Sequence, residues 1–339
     1  MPGHDIIVIG ASSGGVEVLS NLVSRLPSSL PAALFVVLHV RPDAPSLLPA
    51  ILNRAGALPA AHAVDGEPIR TGRIYVAPPG MQTYLRGDRL SVERGPRENL
   101  HRPAIDPLFR TAAHYYGPRV IGIIVSGALD DGTAGLQSIK EAGGLALVQD
   151  PSDALCGSMP AHALDRVAVD YCVPAAEFPD LLVRLASEAA PEPAQRSQVP
   201  LETREESEGT HGRPLTGDII GIDSGLTCPE CSGILREVRD GEVLRFRCRV
   251  GHAYTSQTML EAQGDSVEKA LWTAVRSLEE RSVLMRKLAD SARARNREPI
   301  AALFDDRERA LIRDVHMLRA QIARGRALEP ITPETPQPR

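Results

Sequence analysis

Residues 5–23 leave the chain little choice of architecture. Asp5-Ile6-Ile7-Val8-Ile9 is a short apolar run rich in β-branched residues, the composition of a strand buried on both faces of a parallel sheet. It breaks at Gly10-Ala11-Ser12-Ser13-Gly14-Gly15, where glycines let the backbone bend without Cβ clashes. Val16-Glu17-Val18-Leu19-Ser20-Asn21-Leu22-Val23 then places apolar residues at helical spacing. Strand, tight turn and helix form the opening unit of an α/β sheet with crossover helices.

Three readings fit that turn. It packs a helix closely against a strand, or it cradles a dinucleotide phosphate, or it presents a nucleophile. For the second, Gly10, Gly14 and Gly15 resemble a loosened GxGxxG, but the spacing is wrong and no acid closes the second strand. That strand, Ala33–Leu38, runs instead into His39. For the third, Gly10-x-Ser12-x-Gly14 has the pattern of a nucleophile elbow, which lifts one hydroxyl above the sheet beside the free N–H groups of a helix start. A His at the end of the neighbouring strand stands where a general base for Ser12 would be wanted.

The alternation continues. Helical spacing at 46–55 is followed by a strand at 60–64 and a turn at 66–72. Short strands follow at 74–77, 82–85 and 90–94, with a hairpin turning at Gly87-Asp88. A helix at 104–116 precedes an apolar strand at 119–125, which ends at a second Gly-rich turn, Ser126–Gly135. A strand at 145–149, a short helix from Met159-Pro160 and a helix at 178–188 complete the pattern. The fold class expected is α/β: a doubly wound, mostly parallel, Rossmann-like sheet with flanking helices. Ligands of such sheets sit at the carboxyl ends of strands. Ser12, His39 and the pair Asp130-Asp131 all fall there.

A chain of 339 residues suits one large domain or two to three smaller ones. Aromatics are only 4%, so the core must rest on Val, Leu, Ile and Ala. A net charge of −5, without any Lys/Arg cluster interleaved with aromatics, argues against a nucleic-acid partner. Met1-Pro2-Gly3-His4-Asp5 has no basic flank or cleavable apolar region, so a leader is not expected, and no apolar run reaches about 18 residues. Five cysteines, three of them clustered, suit a reducing compartment rather than a disulfide framework. Cytoplasmic localisation is the expectation.

Taken together, the first part of the chain resembles the catalytic domain of the CheB family of chemotaxis protein-glutamate methylesterases. The residues that carry the likeness are Ile9–Gly15, Leu38-His39-Val40-Arg41-Pro42, Tyr75-Val76-Ala77-Pro78, His101–Phe109, Ser126–Gly135 and Gly157-Ser158-Met159-Pro160. The likeness covers about residues 3–188. It implies Ser12 as nucleophile, His39 as general base and Asp131, directly before Gly132, as its orienter. Asp130 would be replaceable. The implied reaction is hydrolysis of glutamate γ-methyl esters on a methyl-accepting chemoreceptor or related signalling protein, with deamidation of certain glutamines. Attack of Ser12 would place the oxyanion on backbone N–H groups near Ser13, with no metal or organic cofactor required. His101 and Arg102 would border the substrate groove. Taken singly, His39 reads as an ordinary strand-end histidine, Asp131 as a helix N-cap and His101-Arg102-Pro103 as a turn.

Two departures from the family pattern stand out. Ser13 follows the nucleophile where Thr is common, and Gly127-Ala128-Leu129 replaces a Gly-Met-Gly-type turn. The usual N-terminal receiver domain has no counterpart before Asp5, so regulation through a receiver in the same chain is not expected. Two other classes compete: a non-catalytic regulator or scaffold retaining the esterase fold, and a nucleotide-dependent oxidoreductase.

Beyond the likeness, residues 189–217 are charged and Pro-rich and read as a linker. Residues 218–260 carry Cys228-Pro229-Glu230-Cys231, sixteen intervening residues, and Cys248-Arg249-Val250-Gly251-His252. Two such knuckles around a hairpin match a structural zinc site. The plainer alternative is free thiols beside an unrelated histidine. Cys156 and Cys172 read as ordinary thiols. Residues 261–328 read as two helices, one from Asp265 to about Asn296 with Val267, Leu271, Ala274, Leu278, Met285 and Leu288 on one stripe. The other carries Phe304, Leu311, Val315, Leu318 and Ile322. The pair suggests a helical hairpin or an intermolecular coiled coil, hence a homo-oligomer or an association with receptor arrays. Residues 329–339 read as a disordered tail. Truncating this extension is expected to spare the chemistry and lose assembly or localisation.

Overall fold

β1 (Ile6–Ala11) is the central strand of the protein. Every residue of it is buried, and it pairs in parallel with β2 (Ala33–Leu38) on one side and β7 (Val120–Ile124) on the other. A strand covered on both faces has no solvent side to mark with polar residues, which is why it reads as a continuous apolar run. The chain is seen here in a computed structural model that describes residues 3–42, 45–192, 221–241 and 243–325. The expected linker from residue 193 onward, residues 218–220 and the tail 329–339 lie outside the described residues.

Outward from β1 the order is β3-β4-β2-β1-β7-β8-β9. β3 (Ala60–His62) and β4 (Arg73–Val76) form one wing; β8 (Leu145–Gln149) and β9 (Tyr171–Val173) form the other. All pairings are parallel. One face is covered by α1 (Gly15–Ser24), α2 (Leu48–Ala55) and α6 (Phe178–Ser187), and the other by α3 (Ile105–Tyr116), α4 (Thr133–Glu141) and α5 (Ser158–Arg166). The two-stranded hairpin of β5 (Gln82–Arg86) and β6 (Arg89–Glu93) lies against α3, through a hydrogen bond from the Leu85 N–H to Thr111 Oγ1. This is the doubly wound sheet the alternation predicts. β9 has no counterpart in the sequence reading: three half-exposed residues at a sheet edge leave too little apolar pattern to read.

The Cys/His segment holds four antiparallel strands rather than one hairpin. β10 (Ile222–Thr227), β11 (Ile234–Asp240), β12 (Val243–Cys248) and β13 (Ala253–Thr255) pair in that order. β10 escapes a pattern reading because its register breaks between Asp223 and Thr227. This small sheet belongs to the same compact unit as the parallel sheet, residues 1–259.

The second unit begins at residue 260, and its described residues hold two long helices. The first, Ser256–Arg293, starts nine residues before the expected Asp265, and the second spans Glu298–Gly325. They form an intrachain hairpin through Val275, Val315 and Ile322, with Leu271, Leu278 and Leu318 around them. Ion pairs Arg286–Glu308 and Arg319–Glu279 also join them. The expected stripe is only partly right: Val267 and Leu288 are 59% and 38% exposed, because the contact face centres on Val275. No helix among the described residues is long and apolar enough to cross a membrane.

Candidate active site

Parallel register brings Ser12 and His39 together. Ala11 pairs with Leu38, and the His39 N–H donates to Ala11 O at 3.0 Å, so the next residues on each strand stand side by side about one strand spacing, ~4.8 Å, apart. On the other flank the Ser12 N–H donates to Ser126 O at 2.9 Å, just past β7. The chain moves from β1 to one side of the sheet and later returns to the other, so the crevice above β1 is the topological switch point where ligands of such sheets bind. Gly14 makes the turn feasible. It sits at φ 81°, and a Cβ there would lie 2.7 Å from Ser126 Oγ. Ser13 is exposed at the tip.

Asp131 completes the constellation from the turn after β7. His39 Nε2 donates to Asp131 Oδ2 at 2.8 Å, with both side chains almost wholly buried. A carboxylate only accepts, so Nε2 carries the proton and Nδ1 keeps its lone pair. That Nδ1 is buried and has no hydrogen-bond partner. Asp131, not Asp130, makes this contact; Asp130 faces away and accepts from Thr255 Oγ1 at 2.7 Å.

Asp131 is held ionised by donors. The N–H of Ile105 reaches Oδ2 at 2.7 Å, and the N–H of Asp106 reaches Oδ1 at 3.3 Å. These are the first N–H groups of α3, which have no partner inside their own helix and carry the positive end of its dipole. Asn99 Nδ2 donates to Oδ1 at 2.8 Å. Burial pushes the Asp131 carboxyl upward, but the hydrogen bond and charge of His39 and the Ile105 N–H outweigh it and bring it down to about 2. Asp106 mirrors this at the start of α4, accepting from the Gly135 N–H at 2.7 Å. Burial first, then the Asp131 charge, raises Asp106 to about 7, against Arg245 and Arg110. The two neighbouring carboxyls are thus driven apart, and Asp106 retains a proton that Asp131 gives up.

His101 lies beside His39 and is held uncharged: burial and the neighbouring His39 lower it to about 3. Arg102 donates through Nη1 to Gly95 O at 2.8 Å. Pattern reading missed Glu98, Asn99, Asp106, Arg110 and Arg245. Arg110 Nη2 lies 3.0 and 2.9 Å from the two oxygens of Glu98, and Arg245 Nη2 lies 3.2 Å from Glu98 Oε2. All three are buried. No local signal marks Glu98, Asn99, Arg110 and Arg245, which are single polar residues; Asp106 lies within the His101–Phe109 stretch, but the pattern gave it no role.

In the small sheet, Cys228, Cys231, Cys248 and His252 bring one donor atom each within 4.8 Å of one another. Sγ of Cys231 and Cys248 are 3.6 Å apart, and His252 Nδ1 lies 3.7 and 3.6 Å from Sγ of Cys228 and Cys248. The edges of a tetrahedron of ligands around zinc, with Zn–S of about 2.3 Å, are of that size, roughly 3.8 Å. His252 Nε2 faces Glu230 Oε2 at 3.3 Å, the outer carboxylate that commonly orients a metal-bound imidazole. The donor set fits a tetrahedral ion with no position left for substrate. Cys156 and Cys172 are not among these donors.

The family model described as CheB methylesterase matches residues 7–182. A Leptospira interrogans protein described as a putative protein-glutamate methylesterase/protein-glutamine glutaminase is 36% identical over 183 residues, 54% of this chain and 95% of that one. A Moorella thermoacetica protein-glutamate methylesterase/protein-glutamine glutaminase is 33% identical over 193 residues, 56% of this chain and 46% of its own length. The chain therefore spans about half of that longer relative. The Thermotoga maritima CheB methylesterase catalytic domain superposes with a TM-score of 0.51 at 30% identity, covering 55% of this chain and all of that domain.

Proposed function

The chain belongs to the CheB methylesterase family, and from that premise we propose that it hydrolyses glutamate γ-methyl esters on methyl-accepting chemoreceptors or related signalling proteins, releasing methanol, and deamidates glutamines at the same site. The observation that carries this reading is the 2.8 Å hydrogen bond from His39 to a fully buried Asp131, beside Ser12 at the switch point of the sheet.

Ser12 is the nucleophile. The unpartnered Nδ1 of His39 takes the Ser12 proton as Oγ attacks the ester carbonyl, and Asp131 stabilises the imidazolium that forms. The same proton then goes to the departing methoxide, so methanol leaves and an acyl-enzyme remains. Water, deprotonated by His39, releases the glutamate. The oxyanion rests on backbone N–H groups near Ser13 at the start of α1, and His101 and Arg102 border the groove that takes the receptor helix. Zinc held by Cys228, Cys231, Cys248 and His252 is structural and takes no part in these steps. A reduced thiolate site of this kind suits the cytoplasm, where receptor methylation sites face. Association with receptor arrays, and self-association through the two long helices, belong to the same reading. The proposed division is a catalytic unit through residue 188, a linker, the Cys/His sheet and the helical hairpin.

The test is methanol release from a methylated chemoreceptor cytoplasmic fragment, with the protein beside its Ser12→Ala variant. Loss of roughly 10³-fold or more in the variant is expected for a nucleophile acting within such a set. Equal release by both would overturn the assignment.

A further inference from the structure

We propose that Thr255 and Thr258, at the junction of the Cys/His sheet and the first long helix, are positioning residues for the Asp131–His39 pair, Thr258 acting through Asn99 and the Thr255 hydroxyl through Asp130. The inference rests on the esterase reading for its catalytic consequence, although the geometry stands apart from it.

Asn99 is the link. Its side chain is fully buried, and both ends of the amide are used. Nδ2 donates to Asp131 Oδ1 and to Asp106 Oδ2, each at 2.8 Å. Oδ1 accepts from the Thr255 N–H at 3.0 Å and from Thr258 Oγ1 at 3.2 Å. The Asp131 carboxylate, which only accepts, and the Thr255 N–H, which only donates, leave the amide one orientation. Its grip on Asp131 is therefore set from the side of the small sheet.

The backbone around Asn99 is held from the same side. Asn99 and Leu100 have φ of 49° and 70°, a left-handed conformation that Asn tolerates but that Leu keeps only where the surroundings impose it. The Asn99 N–H donates to Ala253 O at 2.8 Å, the Ala253 N–H to Arg97 O at 3.3 Å, and Glu98 pairs with Ala253 as an isolated parallel bridge. Arg245 of β12 adds its contact to Glu98.

Thr255 also touches the residue next to Asp131. Its hydroxyl donates to Asp130 Oδ1, whose other oxygen is buried without a partner. The small sheet thus holds Asp131 from two directions, through Asn99 on its carboxylate and through Asp130 on its backbone neighbour. These contacts are polar and buried. Each is directional, so they set an orientation as well as a distance. The family model ends at residue 182, so the elements that supply Thr255, Thr258 and Arg245 lie outside it.

The experiment uses the full chain with Thr255→Val, Thr255→Ser and Thr258→Ala. One readout is the downfield proton resonance of the His39 Nε2–H···Asp131 hydrogen bond. A second is the rate of Ser12 acylation by a fluorophosphonate probe, with KM for the methyl ester measured alongside. Thermal unfolding and zinc content report folding. Thr255→Val should move or broaden the resonance and slow acylation about tenfold, with KM and zinc content unchanged. Thr255→Ser, which keeps the hydroxyl, should restore both readouts. Thr255→Val removes the contact to Asp130 and keeps the N–H to Asn99; Thr258→Ala removes a donor to Asn99 Oδ1, should shift the same two readouts, and carries the test if Thr255→Val does not fold. A resonance and acylation rate within twofold of the parent in the folded variants overturns the proposal, as does a folded Thr255→Ser as impaired as Thr255→Val. Failure of the probe to label the parent protein counts against the esterase reading alone, and the resonance then decides the positioning.

Discussion

The imidazole of His101 lies flat on that of His39, with ring centroids 3.5 Å apart and planes 8° from parallel. Because His101 is lowered to about 3, it stays neutral through the working range and acts as a flat wall. Replacing it with Ala should free the His39 ring and lower kcat by up to about tenfold, the size of a ring–ring contact. Replacing it with Phe should keep most of the activity. Steady-state kinetics of the two variants distinguishes a wall from a charge.

The two adjacent carboxylates should separate by mutation. Asp131→Asn puts an amide where His39, Ile105, Asn99 and Asp106 all donate. It forces the wrong imidazole tautomer, so kcat should fall by about 10⁴. Asp130→Asn keeps an oxygen for the Thr255 hydroxyl and should cost little. Methanol release with both variants checks the pair.

Stability should carry an inverted carboxyl signature. Asp106 is raised from 3.8 to about 7, so the folded state holds its proton more tightly than the unfolded chain. Its stabilisation is fully present below pH 3.8 and is lost as pH rises through about 7. Asp131 works the other way: its contribution is present above 3.8 and lost as pH falls through about 2. Urea unfolding of the parent and of Asp106→Asn across this range should differ in slope between pH 4 and 7, the variant being flatter. Parallel curves would contradict the assignment.

Removal of metal should act on the small sheet. One zinc per chain is expected, released by thiol-blocking mercurials. Cys231→Ser should lower both zinc content and the unfolding midpoint, because metal binding in a small module is part of its folding free energy. Cys156→Ser and Cys172→Ser should change neither.

Leu129 sits at φ 63° directly before the two aspartates. A left-handed conformation costs an L-residue roughly 1–2 kcal/mol, and glycine loses about 0.5–1 kcal/mol of that gain to chain entropy. Leu129→Gly should therefore stabilise by about 1 kcal/mol or less, read as a rise in the urea midpoint.

Local chemistry was enough to read the parallel sheet. β1, β2 and β7 announce themselves because strands buried on both faces need unbroken apolar runs, and the turns after β1 and β7 need small residues. The spacing of Cys228, Cys231, Cys248 and His252 is equally local, since a knuckle draws its donors from neighbouring residues. The sequence by itself thus determined the sheet, its Gly-rich turns and the Cys/His cluster. Tertiary structure alone decided the rest. The family likeness implied Asp131 rather than Asp130 as the partner of His39, but the physical reason, α3 pointing its free N–H groups at one carboxylate, is tertiary. That Asn99, Arg245 and Thr255 stand behind that carboxylate depends on how the small sheet packs on the loop before α3. A polar residue in a loop looks the same whether it faces water or closes a buried network. Only the fold removes the water and leaves buried donors and acceptors to find their partners within the protein.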